Sequence, residues 1–324
     1  AAAALLYGAA ALITMRVGTA WIDRLMPPIV TGAVVALIGL NLAASSVSHA
    51  LGPGLKIQSG ADGLRLLVAV CTFTVAAACA VYLRGFLRLI PILLGVLAGS
   101  ALAAALGLVD AGAVARIAQA PWIGLPPFQL PRPSLPAVAV VAPIVVVLLA
   151  ENKGHIAAIG GYLKRDLDPY LGRAYLGDAL ASFVSALGGG TPQTTYAENM
   201  GVMAITRVFA TSNFIVAALV AMLLGICPKF GATIQAIPHP VLGGVTLILY
   251  GLITLMGIKL WLDARVDFAD QRNLLVAGIP LILATGLGVK GLTVGSLNIA
   301  GIALGTVLAL VLQLLFGARG AKQE

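Results

Sequence analysis

Long apolar stretches separated by short polar connections run through the whole 324-residue chain. Crossing about 30 Å of hydrocarbon takes about 20 helical residues. Windows of high hydrophobicity predict eleven spans, near 1–15, 28–50, 63–83, 89–109, 136–160, 174–189, 198–207 with its flanks, 210–227, 240–258, 273–287 and 298–316. The stretches lack the alternating pattern of a membrane β-barrel, so the predicted fold class is an all-α, polytopic integral membrane protein.

One polar stretch interrupts this pattern, "GGGTPQTTYAENMGVMAITRV" at 188–208. Its glycines and proline do not continue a helix well, and the β-branched Thr194 and Thr195 favour extended backbone. We therefore expect a short extended segment to break the span around 191–198, with a helix restarting near Glu198. Unwound backbone at membrane depth is tolerated where it is buried or lines a cavity, so this segment is a candidate ligand site. A structural kink capped by Glu198 is the alternative.

The composition supports the membrane assignment and the charges give an orientation. Hydrophobic residues make up 60% of the chain and charged residues only 10%, and the formal net charge is +8. The Lys and Arg residues lie singly between spans, which argues against nucleic-acid binding. With the connection at 16–27 in the cytoplasm, thirteen of the twenty fall inside and the C-terminus is cytoplasmic. The thirteen are Arg16, Arg24, Arg84, Arg88, Lys164, Arg165, Arg173, Arg207, Lys259, Arg265, Arg272, Arg319 and Lys322.

Two stretches resemble each other, "MPPIVTGAVVALIGL" at 26–40 and "IPHPVLGGVTLILYGL" at 237–252. They open the second and the ninth predicted span. Because the ninth span comes seven places after the second, an odd number, the two copies must cross the membrane in opposite directions, as in inverted-repeat transporters. The second repeat would hold seven spans from residue 136 onward and the first only four, so we expect a chain cut at its start by three spans.

Two carboxylates, Glu151 and Glu198, fall within predicted spans, whereas Asp178 is placed at the start of one. A carboxylate near the membrane centre costs about 2.5 to 3.5 kcal/mol, so it is paired, protonated or functional. Glu151 and His155 share one helix face, either as a ligand-binding acid with a tuning histidine or as a structural pair. Lys153 points elsewhere and is predicted to snorkel or to pair helices.

Two carboxyl groups that flank exposed backbone suit a flat ligand with alternating donors and acceptors. Burial raises the pKa of a carboxylic acid toward neutrality, so such a site can also couple to protons. A simple anion would instead call for Arg or Lys. The sequence contains no nucleotide-binding glycine loop, zinc motif or nucleophile elbow, so we expect no metal site and no enzyme activity.

At these residues the chain resembles the nucleobase/ascorbate transporter family and, within it, the bacterial uracil permeases. The stretch "ENMGVMAITR" at 198–207 fits the family signature, and "AENKGH" at 150–155 is similar to the family's other binding segment. "TPQTTYAENMGVMAITRV" resembles the uracil-permease version of the signature. The resemblance implies fourteen spans in two inverted repeats of seven, of which this chain would hold spans four to fourteen.

The resemblance also implies a core domain that moves against a gate domain. It divides this chain into a core remnant at 1–15, gate helices at 16–135, a core with the binding site at 136–236, and gate helices at 237–324.

The resemblance assigns roles to the polar residues of both segments. Substrate binding is implied for Glu151, Thr195, Tyr196, Ala197 and Glu198, proton coupling for Glu151 and His155, and structural support for Asn199, Gly201, Thr206 and Arg207. Ala197 stands where glycine is common in the family, and Lys153 is unusual in its segment, so both bear on the choice of base.

The expected function is import of a nucleobase, uracil or a close pyrimidine, coupled to protons. The resemblance implies no cofactor beyond the coupling proton, a bacterial inner-membrane location and a homodimer. The alternatives are a purine such as xanthine or urate, an inorganic anion on the same fold, or a channel-like membrane protein.

Overall fold

A computed structural model describes residues 1–52, 59–125, 128–132, 135–295 and 297–320. Fourteen α-helices and one two-stranded sheet lie within these ranges. The helices are α1 Ala2–Val17, α2 Ala20–Leu25, α3 Pro28–Leu51, α4 Gly60–Tyr82, α5 Pro91–Ala105, α6 Ala111–Gln119, α7 Leu135–Leu163, α8 Leu171–Leu187, α9 Ala197–Thr206, α10 Thr211–Gly225, α11 Pro228–Gln235, α12 His239–Asp263, α13 Gln271–Leu287 and α14 Gly301–Gly320.

A helix coincides with each of the eleven predicted spans, which confirms a helical, multi-pass membrane protein. Among the described helices, α3, α4, α7 and α12 are long and apolar enough to cross a membrane. α10 and α11, bent by 86° at a short break, would add a fifth crossing if they count as one span. The apolar helices α1, α5, α13 and α14 are shorter, so the total of eleven spans stays a prediction.

The chain divides into two compact units. The first unit comprises Ala1–Leu42, Gln129–Met200 and Tyr250–Glu324. Its largest contacts are α1 with α8 and α13 with α14, and α7 packs against α1, α8 and α14. The core of the first unit is lined by apolar side chains of these helices, of α2 and of the residue after α2, including Tyr7, Ile22, Met26, Leu171, Tyr175 and Val276, all fully or almost fully buried.

Within the first unit, α3 and α12 lie antiparallel at very short range. A Cβ atom at Gly39 would overlap the Tyr250 carbonyl, whereas one at Gly32 would lie 2.8 Å from the Gly257 carbonyl. The N-terminal part of α3 therefore contacts the C-terminal part of α12, as antiparallel packing requires. The indole of Trp261 closes the contact, because its Nε1 donates a hydrogen bond to the Ile29 carbonyl over 3.0 Å.

The short sheet is a hairpin, β1 Leu292–Val294 and β2 Leu297–Ile299, in which the strands run antiparallel. The sequence predicts only a connection here and starts the last span at 298. Three residues per strand are too few to produce a visible alternation pattern, so hydropathy windows assign β2 to the following helix.

The second unit comprises Ala43–Phe128 and Gly201–Leu249. Its main helix pair is α4 with α5, and α11 packs against α6. Small residues again allow close packing, because a Cβ at Gly95 would lie 2.9 Å from the Thr72 carbonyl. The amphipathic helices α6 and α11 are short and were not predicted from hydropathy, because neither is apolar enough to register as a span.

Candidate functional site

The site is built on the middle of α7, where Glu151 and His155 lie four residues apart. Four residues make slightly more than one helical turn, so both side chains extend from the same face. His155 is buried and Glu151 is half-buried. The sequence placed both residues within one membrane span, and the described helix runs through them without a break.

The polar stretch after α8 is not helical, as the sequence predicts. α8 ends at Leu187, and Gly189 takes a φ of +80°, which ends the helix because glycine has no Cβ to clash in this conformation. Residues 190–196 form neither helix nor strand, and α9 begins at Ala197. The observed break therefore spans 188–196, and the helix restarts one residue before Glu198.

The last turns of α8 supply hydrogen bonds that the non-helical backbone cannot make within itself. Ser182 Oγ accepts from the Gln193 amide over 2.8 Å, and Ser185 Oγ donates to the Thr191 carbonyl over 2.8 Å. The Gln193 side chain also donates to the Thr191 carbonyl over 3.1 Å. These bonds fix the segment against α8, since unpaired backbone groups at this depth would be costly.

Two consecutive threonines of this segment contact the two polar residues of α7. Thr194 Oγ1 donates to Glu151 Oε2 over 3.1 Å. Thr195 Oγ1 and His155 Nδ1 are 2.5 Å apart, and either atom can donate, depending on the tautomer of the histidine. The structure therefore brings Glu151, His155 and Thr195 together, and it adds Thr194, which the sequence analysis did not assign to the site.

The other predicted substrate-binding residues follow directly in the chain. Tyr196 is exposed, and α9 starts after it. The side chains of Ala197 and Glu198 lie outside the part that the structure describes, so their roles stay predictions. The first amides of α9 have no partner within the helix and favour a polar or anionic group at this end.

The predicted supporting residues lie along α9 and at its end. The side chain of Asn199 is exposed, and the solvent exposure of Gly201 lies outside what the structure describes. Thr206 Oγ1 donates to the Val202 carbonyl over 2.8 Å. The Arg207 amide donates to the Met203 carbonyl over 2.8 Å while Arg207 itself takes a φ of +54°, which ends the helix. Thr206 and Arg207 therefore form the C-terminal cap of α9.

Lys153 makes an ion pair with Asp23 of the short helix α2. Its side chain is mostly buried, whereas that of Asp23 is half-exposed. This pairing gives Lys153 the helix-pairing role that the sequence predicts and directs its charge away from the face that carries Glu151 and His155.

A second polar cluster, formed by Tyr7, Asn152 and Asp178, joins α1, α7 and α8. Asn152 is fully buried, and its Nδ2 donates to Asp178 Oδ2 over 2.5 Å and to Tyr7 Oη over 3.0 Å. Tyr7 Oη in turn lies 3.4 Å from Asp178 Oδ2. Asn152 Oδ1 is buried without a hydrogen-bond partner among the described residues. We call these three residues the Asn152 cluster.

The sequence analysis missed this cluster because it placed Asp178 near a span end. In the structure Asp178 lies in the middle of α8. The sequence contains a weak signal for this cluster, because Asn152 directly follows Glu151 and Tyr7 places a hydroxyl group within an apolar helix. A pattern along one chain does not show that residues on three helices meet.

A cavity of about 530 Å3 lies at the adjoining ends of α1 and α8 and is lined by residues that include Thr14, Asp166, Asp168 and Arg173. It does not include Glu151, so we assign the site by its hydrogen-bonding chemistry and not by cavity size. Among the described residues no group of three or more His, Cys, Asp or Glu is arranged to hold a metal ion.

Comparison with known proteins shows the family of the chain. The model of the Permease family matches residues 1–291. The Escherichia coli (strain K12) protein RutG, provisionally named a pyrimidine permease, is 41% identical over 322 residues, which cover 98% of this chain and 70% of RutG. The uracil permease of Bacillus caldolyticus is 38% identical over 334 residues, with 99% and 75% covered. The uracil permease of Escherichia coli (strain K12) is 40% identical over 310 residues, with 94% and 70% covered.

Proposed function

Because the chain belongs to the Permease family, we propose that it is a secondary active transporter that imports uracil or a close pyrimidine together with protons. Members of this family are transporters and not enzymes. Several similar proteins are named uracil permeases, and the name of RutG gives pyrimidines as its cargo. These names support a pyrimidine over a purine or an inorganic anion.

The observation that carries the proposal is the pairing of the α7 face with the non-helical segment. Thr194 holds one carboxylate oxygen of Glu151, and Thr195 holds His155. A pyrimidine ring presents alternating N–H donors and carbonyl acceptors along one edge. In our proposal Glu151 accepts from a ring N–H, while the backbone around Ala197 and the carboxyl of Glu198 bind the neighbouring positions.

We assign proton coupling to the same groups. A carboxyl such as Glu151 accepts hydrogen bonds when ionised and can donate one when protonated, so its proton occupancy changes what it offers to the ring. His155 is hydrogen-bonded to Thr195 of the non-helical segment, so a change in the protonation of His155 changes a bond that positions this segment. The Asn152 cluster adds a half-buried carboxyl, Asp178 of α8, which accepts from Asn152, the residue next to Glu151 in α7, and this contact supports a proton-linked network.

The conformational part of the proposal is a core domain that moves against gate helices in two inverted repeats of seven spans. The antiparallel contact of α3 with α12 supports it, because the two repeated stretches open these helices. We further propose eleven of fourteen spans in this chain, the core and gate boundaries given above, a cytoplasmic C-terminus in a bacterial inner membrane, and a homodimer.

The test is uptake of radiolabelled uracil by cells that express the protein, with and without a protonophore. We expect accumulation above the external concentration that collapses with the proton gradient, and we expect Glu151→Gln to abolish or uncouple it. Asp263→Asn, at an exposed carboxylate that ends α12, is the matched control and should transport normally. Uptake that never exceeds the external concentration would instead indicate a channel.

The cargo is tested by competition with unlabelled bases and anions. Excess uracil should block uptake, whereas xanthine, urate, sulfate and bicarbonate should not. A Glu151→Gln variant that reaches the membrane and shows normal, protonophore-sensitive uptake would refute the role of Glu151.

A further inference from the structure

A cavity of about 490 Å3 lies in the second unit, where α3 ends and α12 begins. Its walls come from the end of α3, from α4, from the start of α6 and from the connection between α11 and α12. The charged and titratable side chains that line it are His49, Arg65, Asp110, Arg116 and His239. None of these residues belongs to the proposed nucleobase site.

Two histidines face each other at this cavity. His49 lies in the last turn of α3 and His239 is the first residue of α12, and their ring centroids are 5.4 Å apart with planes tilted by 38°. His49 is half-buried and His239 is exposed. Two imidazolium rings at this distance repel each other, so a bound anion would stabilise the doubly protonated pair.

The two arginines are only loosely held by the chain itself. Arg65 lies 3.7 Å from Asp62 of its own helix, and Arg116 lies 3.3 Å from Asp110. Asp110 also accepts from the amides of Gly112 and Ala113 as the N-cap of α6, so its charge is shared among several donors. About half or more of each arginine side chain is exposed, which leaves guanidinium donors for a ligand.

The net charge of the cavity lining is therefore positive. Two arginines against one aspartate leave one positive charge in the lining, which Asp62 beside Arg65 offsets, and protonation of both histidines then adds two positive charges. The N-terminus of α12 adds the positive end of its dipole. It adds few free donors, because the amides of Val241 and Leu242 already bond to the Pro238 carbonyl.

We propose that this cavity binds a phosphate-type oxyanion, either free or as the headgroup of an anionic lipid, and that binding strengthens when His49 and His239 are protonated. Arginine forks match phosphate oxygens, and the cavity is large enough for a phosphate ester. The proposed membrane orientation places this end of the second unit outside the cell, where the histidines would respond to external pH.

The proposal can be tested without transport, by calorimetric titration of inorganic phosphate into the purified protein in a neutral detergent. Titrations at about pH 5.5 and about pH 8 bracket the ordinary histidine value of about 6.5. We expect binding that is roughly tenfold tighter at the lower pH. Arg65→Gln with Arg116→Gln should weaken it at both pH values, whereas His49→Gln with His239→Gln should abolish the tighter binding at the lower pH, where phosphate itself carries less negative charge, and leave weak binding.

Arg88→Gln, an exposed cation of the same unit outside the cavity, is the matched control and should bind phosphate like the wild type. Thermal unfolding in nanodiscs of phosphatidylglycerol and of phosphatidylcholine separates the two ligand sources. Stabilisation by phosphatidylglycerol that phosphate competes away assigns the site to a lipid headgroup, and phosphate binding alone assigns it to a free anion. Equal binding by the double arginine variant, or no binding at the lower pH, would overturn the proposal.

Discussion

Thr194 donates a hydrogen bond to Glu151 while its neighbour Thr195 is hydrogen-bonded to His155, one turn further along α7. Two successive residues of a non-helical segment are thus matched to two residues of a helix that are four positions apart. Any shift of the segment along α7 would break both bonds together. The start of α9 carries the proposed ligand-binding amides. Its position therefore depends on the protonation of Glu151 and His155.

Thr194→Val should weaken uracil transport by raising KM. Valine has nearly the shape of threonine but cannot donate to Glu151, so the carboxylate loses a fixed partner. A hydrogen bond to a charged group contributes about 1.5 to 3 kcal/mol, so a tenfold or greater rise in KM is expected. The measurement is initial uptake rate against uracil concentration, corrected for the amount of protein in the membrane.

Thr191→Val is the control in the same segment, because the described hydrogen bonds of Thr191 involve its carbonyl and not its hydroxyl. It should transport with the KM of the wild type. If Thr194→Val and Thr191→Val give the same KM, the bond to Glu151 does not contribute to the site.

The sequence predicted the α7 face and the break before α9 because both depend on local chemistry. Helical spacing alone puts Glu151 and His155 on one face, and three glycines with a proline interrupt any helix. It did not predict that Thr194, the residue beside a predicted site residue, reaches Glu151. That contact depends on how the segment docks on α7, which Ser182 and Ser185 of α8 decide.

The position of Asp178 within its helix is a second feature that local sequence patterns did not predict. Hydropathy windows start its span three residues later than α8 begins, which moves Asp178 from mid-helix to near the membrane edge. The hydrogen bonds from Asn152 and Tyr7 come from helices 26 and 171 residues away in sequence. Such long-range pairs leave no periodic signal, so the Asn152 cluster could be identified only from the structure.

The Asn152 cluster should contribute to stability mainly through Asn152. Asn152→Ala removes both donors and leaves Asp178 with the longer contact to Tyr7, so a loss of about 2 to 3 kcal/mol is expected from the poorly satisfied, half-buried carboxyl. Tyr7→Phe removes the bond accepted from Asn152 over 3.0 Å and the longer contact to Asp178, so it should cost about 1 to 2 kcal/mol. Thermal unfolding of the detergent-solubilised protein measures both.

A double variant with Tyr7→Phe and Asn152→Ala distinguishes a cluster from two independent residues. If the three groups form one network, the combined loss should differ from the sum of the single losses by about 0.5 kcal/mol or more. Additive losses would mean that Tyr7 and Asn152 stabilise the first unit separately.

Gly39→Ala should strongly destabilise the contact between α3 and α12. The added methyl group would overlap the carbonyl of Tyr250 and the hydroxyl of Thr254, and a backbone carbonyl cannot move aside without shifting the helix. Overpacking of this kind costs about 1 to 3 kcal/mol. Gly251→Ala, on the same helix α12 with no atom within 4 Å of the new Cβ, is the control and should be neutral or slightly stabilising. Comparable melting temperatures for the two variants would contradict the close approach.

Asp168 gives a prediction of pH dependence at the end of the first unit, outside the membrane spans. Partial burial raises the pKa of its carboxyl, and the negative charges of Asp166 and Asp23 raise it further, against a smaller opposite effect of Lys153. A raised pKa means that the folded state favours the neutral acid. The stabilising effect of protonation is therefore complete below the ordinary aspartate value of about 3.9 and is lost as the pH rises through the folded-state value.

Asp168→Asn should remove this dependence, because asparagine is neutral at every pH. The variant should match the wild type at about pH 4 and become more stable than the wild type as the pH rises toward about 7. The difference should be small, since the Asp168 side chain is largely exposed to solvent. Asp166→Asn should reduce the same dependence by removing the repelling charge with the larger effect while keeping an oxygen for the Asp168 amide, which now donates to Asp166 over 2.9 Å. Thermal unfolding across this pH range measures all three proteins, and a wild-type-to-variant difference that does not change with pH would show that Asp168 titrates normally.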